Sequence, residues 1–129
     1  MRTNRTSTAT FVVLALLAVL GVAGVNLLHE RRAPAPADQI FAVDVDVEGM
    51  HFIPDSVEVP AGKYLVIDLH NGDDQAHDLK VGDVETGRIE PGKSAKLNVG
   101  TVTKPIAGYC TIAGHKMRGM TFEVGVAQA

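Results

Sequence analysis

The chain has no tryptophan, aromatic residues make up only 5% of it, and a single cysteine, Cys110, stands among its 129 residues. One cysteine excludes an internal disulfide, and it argues against a structural zinc site, which takes four strong ligands. An unpaired thiol in an exported protein is a reactive liability unless something occupies it, and a metal ion is one way to occupy it. After residue 38 no window carries a helical apolar stripe over three turns, so the folded part is not built on amphipathic helices. Positive charge is scarce there too. Setting aside Arg2, Arg5, Arg31 and Arg32, with the lone acidic Glu30, leaves eight basic against fourteen acidic side chains, a net of −6. A domain that acidic is repelled by phosphate backbones, which argues against nucleic acid as a partner.

What the first part of the chain has in abundance is hydrophobic residues. Thr10 to Leu28 contains no charge and only Asn26 as a strongly polar interruption. At ~1.5 Å per residue, a helix of about 18 residues approaches the ~30 Å hydrocarbon core of a bilayer. The run is read as one N-terminal hydrophobic helix that stays as a membrane anchor. The competing reading is a signal segment cleaved near Ala35-Pro36-Ala37, but Glu30, Arg31 and Arg32 separate that site from the apolar run. Arginines on both flanks nearly balance the positive-inside rule, so orientation rests on the downstream chemistry. Ala33 to Ala37 forms a short, stiff Pro/Ala spacer. The expected organisation is therefore residues 1–37 as anchor or signal plus spacer, and residues 38–129 as one small domain, too short for two cores.

From Ile40 the pattern changes to period two. Phe41, Val43, Val45 and Val47 alternate with Ala42, Asp44, Asp46 and Glu48, as in a strand buried on one face. Similar alternations follow at Ser56 to Val59, Tyr64 to Leu69, Leu79 to Val81, Ala95 to Val99 and Thr121 to Val126. Turn residues punctuate them at Pro60-Ala61-Gly62, Asn71-Gly72-Asp73-Asp74, Pro91-Gly92 and Ala113-Gly114. The expectation is an all-β, antiparallel Greek-key sandwich or barrel of six to eight short strands.

Four residues stand out together: His77, Cys110, His115 and Met120. The last three share the stretch YCTIAGHKMRGM, with four residues between each successive pair, directly before the last strand-like segment. A thiolate and two imidazoles with a distant thioether form a donor set that suits copper in both oxidation states. A loop joining the last two strands can curl three of these groups around one point. His77, in AHDLKV just after a polar turn, is placed to fix that loop to the sheet. Gly108, Gly114 and Gly119 let the loop curl tightly.

Read whole, the stretch from Ile40 to Val126 resembles a cupredoxin, the blue copper family of plastocyanin and azurin. The resemblance runs through FIPDSVEVPAGKYLVIDLHN, AHDL and PGKSAKLNV to GYCTIAGHKMRGMTFEV, and its ligand loop is most similar to those of rusticyanin- and auracyanin-like members. It implies a type 1 copper site of His77, Cys110, His115 and Met120, and His115, rimmed by Ile112, Ala113 and Met117, as the point where electrons enter and leave. One departure stands at Asp78, where the family often has Asn tying the two ligand loops together. A carboxylate can accept loop N–H bonds but cannot donate, and its charge near the thiolate favours Cu(II).

The remaining candidates are read as structural. Met117 follows His115 too closely to return to the same metal and is read as a rim residue. His29, His51 and His70 lack metal-ligand company and are read as interfacial, surface or structural histidines. Lys116 and Arg118 are solvated charges that could steer an acidic partner. The expected function is a monomeric one-electron carrier, not an enzyme, held on the extracytoplasmic face of a membrane and meeting redox proteins. The rivals are a copper-delivery protein and a multicopper enzyme, the latter needing further paired histidines.

Overall fold

The alternation that begins at Ile40 becomes a strand with one dry face. In the computed structural model, which describes residues 34–128, strand β1 (Ile40–Glu48) buries Val45 and Val47 and half-buries Phe41 and Val43. Asp44, Asp46 and Glu48 stand in solvent on its other face. Strand β2 (His51–Ile53) folds back antiparallel on β1, and β3 (Ser56–Pro60) crosses to the opposing sheet. Strand β4 (Tyr64–Asn71) then returns beside β1 in parallel, Ile40 opposite Tyr64 and Val47 opposite Asn71. Parallel neighbours need a crossover, and here the excursion through the second sheet supplies it where other folds use a helix.

Five more strands follow: β5 (Lys80–Val81), β6 (Val84–Glu85), β7 (Ser94–Thr101), β8 (Ile106–Tyr109) and β9 (Thr121–Ala127). They complete one sheet ordered β2-β1-β4-β7 and another ordered β3-β9-β8-β5-β6. The all-β sandwich is as expected, with two corrections. The described residues hold nine strands rather than six to eight, because β2 and β6 are too short to show a period and β8 carries Gly108 in place of a strand former. Both sheets are mixed rather than antiparallel, since β1–β4 and β3–β9 pair in parallel. Side-chain alternation is the same in both directions, so it carries no information on polarity.

Between the sheets lie Val59, Leu65, Ile67, Leu69, Leu79, Val81, Phe122 and Val124, each with essentially no exposed surface. Phe52 meets Phe122 edge to face, with ring centroids 6.1 Å apart. Burying each such side chain stabilises the fold by roughly 1.5–3 kcal/mol. Gly108 serves this packing and not the curl of the loop after it. A Cβ there would lie 2.9 Å from the Lys80 carbonyl oxygen and 3.0 Å from Val81 Cγ2, so β8 could not approach β5 with any larger residue.

The expected N-terminal helix of the anchor or signal segment lies outside the described residues. Among the described residues no helix is long and apolar enough to cross a membrane.

Candidate metal centre

His77 follows the turn after β4 and is fixed by its main chain before its side chain does anything. Its N–H donates to the Ile89 carbonyl at 3.1 Å and its carbonyl accepts from Ile89 N–H at 2.8 Å. Cys110 comes directly after β8, and its N–H donates to the Met120 carbonyl at 3.1 Å, closing the base of the loop. Within the loop the His115 carbonyl accepts from Arg118 N–H at 3.0 Å and Met120 N–H at 3.2 Å, around a 3-10 turn over Lys116–Arg118. Gly119 ends that turn at φ 94°, a left-handed conformation that glycine adopts without penalty.

These constraints bring three of the four expected donors together. His77 Nδ1 lies 3.2 Å from His115 Nδ1, and Cys110 Sγ lies 3.5 Å from His115 Nδ1. The three donor atoms are all within 4.8 Å of one another, and all three residues are buried. Met120, the fourth, is fully buried and joined to Cys110 and His115 through its main chain.

Two carboxylates hold the histidine side of the site. Asp73 Oδ2 lies 2.9 Å from His77 Nε2 and accepts from Met50 N–H at 3.0 Å. Burial alone would raise the Asp73 carboxyl, but the hydrogen bonds from His77, Met50 and Asp74 outweigh it and hold the group below its ordinary value. An ionised carboxylate only accepts, so this contact suits a His77 ring whose Nε2 bears a proton, with Nδ1 turned toward the other donors. Asp78 bridges the two ligand segments as a double acceptor, taking the Thr111 N–H at 2.6 Å on Oδ1 and the Thr111 hydroxyl on Oδ2. This is the loop-tying role expected at that position, performed by acceptance alone.

The donor set fits a soft, thiolate-binding metal ion. Burial pushes the Cys110 thiol up, against N–H groups of Asp78 and Ile112 and with the Asp78 charge adding to the rise, so a cation is what would draw the thiolate out. Burial, then the neighbouring His77 and Arg118, hold His115 below its ordinary value, which favours the neutral ring that a metal needs. Two imidazoles and one thiolate around a buried point suit copper.

Asp73 is the functional residue that sequence reasoning missed. It reads as a turn residue in Asn71-Gly72-Asp73-Asp74, and the only available signal was a carboxylate four positions before a candidate ligand histidine. His51 and His70 are exposed, as expected, and His70 Nδ1 lies 3.3 Å from Asp46. His29 lies outside the described residues.

A two-sheet sandwich with a buried His-Cys-His cluster at one end defines a small metal-binding β-protein. The family model of the cupredoxin-like domain matches residues 11–105, and the chain belongs to that family. The match ends before Cys110, so the loop that carries Cys110, His115 and Met120 stands on its geometry. Cupredoxins bind copper, and His77, Cys110 and His115 form the candidate ligand group. No curated protein matches the chain in sequence.

Solved structures share the fold. Auracyanin B superimposes with a TM-score of 0.61 at 18% identity, covering 74% of this chain and 93% of its own. Auracyanin A, a blue copper protein of the green thermophilic photosynthetic bacterium Chloroflexus aurantiacus, gives 0.60 at 14% identity, covering 68% and 99%. A multicopper oxidase, mgLAC, gives 0.58 at 16% identity, covering 67% of this chain but only 38% of the oxidase.

Proposed function

We propose that this cupredoxin holds one copper ion through His77, Cys110 and His115, with Met120 as a weak axial ligand, and carries single electrons between redox proteins outside the cytoplasm. The observation that carries the reading is the convergence of three buried donor atoms within 4.8 Å. Copper bound there would supply a one-electron Cu(I)/Cu(II) couple. The chain's own part is rigidity. Asp73 and Ile89 fix His77, Asp78 ties its segment to Thr111, and the Cys110–Met120 main-chain bond closes the loop, so the donors have little freedom to rearrange.

His115 is the natural point of exchange. Its residue is 7% exposed where His77 is fully covered, and it lines a surface hollow of mixed character with Ile112, Pro91, Asp74, Arg88 and Glu90. Beside it Met117 is 93% exposed, flanked by Lys116 and Arg118. Lys116 lies over the Tyr109 ring, 4.1 Å from its centroid, which holds one of those charges in place. An apolar spot with positive neighbours suits a partner with an acidic rim. The expected anchor, residues 1–37, would hold the domain at the membrane.

The test is to load the purified full chain with Cu(II) and record its visible spectrum and copper content. An intense thiolate-to-copper band at one copper per chain, absent in Cys110→Ser, supports the carrier. A colourless complex overturns it, and two or more coppers per chain would point to multicopper catalysis instead. Copper delivery draws on the exposed Met117 thioether. Rapid copper transfer to a metal-free acceptor, slowed in Met117→Ala, would favour it.

A further inference from the structure

His77 is held from behind by a closed frame of hydrogen bonds. Asp73 N–H donates to Asn71 Oδ1 at 3.0 Å, and Asn71 Nδ2 donates to the carbonyls of Gln75 at 2.8 Å and Ile89 at 3.0 Å. Ile89 is bridged in both directions to His77, and His77 Nε2 returns to Asp73. Asn71 and His77 are completely buried. From outside this frame Met50 aims its N–H at Asp73 from φ 64°, a left-handed conformation that a non-glycine residue adopts at a cost. Thus a strained turn holds the Asp73 carboxylate, a buried amide holds the Asp73 main chain, and a main-chain bridge holds the residue whose ring that carboxylate meets. Among the described residues its only bond to another side chain is the one to His77.

We propose that Asp73 is a positioning residue: it fixes His77 in the tautomer whose Nδ1 faces Cys110 and His115, and through the ring its negative charge biases bound copper toward Cu(II). The second half rests on the copper reading above. The chemistry follows from acceptor-only carboxylate oxygens. Nε2 must carry the proton to meet Asp73, so Nδ1 is left bare, and a carboxylate behind a ligating imidazole raises its basicity. Negative charge stabilises the more highly charged ion more, and Asp73 adds to what Asp78 does.

The experiment compares the full chain with Asp73→Asn and Asp73→Ala. In the metal-free protein above pH 8, nitrogen–proton correlation of the imidazoles reports the His77 tautomer without reference to copper. A single Nε2–H form is expected in the native chain and in Asp73→Asn, whose amide oxygen still accepts, and a mixture in Asp73→Ala. In the copper-loaded protein, Asp73→Asn is expected to raise the ratio of Cu(I) to Cu(II) affinity roughly 10- to 100-fold, because the charge goes while the shape stays. An Nδ1–H tautomer in the native protein overturns the positioning role, and a ratio that moves less than about threefold overturns the charge bias. A native chain that binds no copper overturns the copper reading and the bias with it, while the tautomer result still judges the positioning role. Should Asp73→Ala not fold, Asp73→Asn and the native chain decide both points.

Discussion

The two ends of what is buried in this molecule are built on different physics. Among the described residues the space between the sheets is filled by aliphatic and aromatic groups, whereas Asn71, His77, Asp78 and His115, the buried polar residues, all gather at the end that carries the candidate metal centre. The first region is held by area removed from water, which has no preferred direction and tolerates swaps that conserve volume. The second is held by hydrogen bonds whose loss leaves a named atom unpaired. The sandwich is therefore forgiving about shape, and its metal end is unforgiving about single atoms.

Three substitutions test that contrast. Phe122→Ala removes a fully buried ring that packs on Phe52, and should cost about 3–5 kcal/mol in denaturant unfolding. The fraction that stays folded should keep its copper spectrum, and a changed spectrum would mean that core and site are not separable. Asn71→Ala takes the side-chain donor from the Gln75 carbonyl, the acceptor from the Asp73 N–H and one of two donors from the Ile89 carbonyl, and should cost about 2–3 kcal/mol while loosening His77 and weakening copper retention. A cost no larger than that of a surface substitution would erase the difference between the two regions. Thr111→Val keeps the side chain's shape and the main-chain bond to Asp78 but drops the hydroxyl bond, and should cost about 1 kcal/mol. A visible band that shifts although stability barely moves would locate Asp78 as an electronic rather than a structural tie.

Which parts of this could be read from the sequence follows the same division. Apolar alternation in β1 and β9 gave their buried faces directly, because burial on one side of a pleat imposes a period of two, while β4 buries Leu65, Val66 and Ile67 in succession. The strands that escaped are those in which burial leaves no period: β2 with three residues, β6 with two, and β8 interrupted by a glycine that β5 requires. The convergence of His77, Cys110 and His115 was legible because metal ligation restricts residue type as well as spacing. Asp73 was not, since an aspartate in a turn is what turn chemistry alone would place there. Its second role appears only when the ring of His77 is seen to end on it.

The parallel ladder between β3 and β9 has a consequence for how the protein is made. Ser56 pairs with Glu123, more than sixty residues further along the chain, and β9 is also the strand that receives the ligand loop. Such a distant pairing pays its loop-closure entropy late and slows assembly. In chain order β3 waits for β9, and Cys110, His115 and Met120 all lie in that interval. The metal pocket should accordingly be among the last features to mature, and copper should enter a finished scaffold instead of nucleating it.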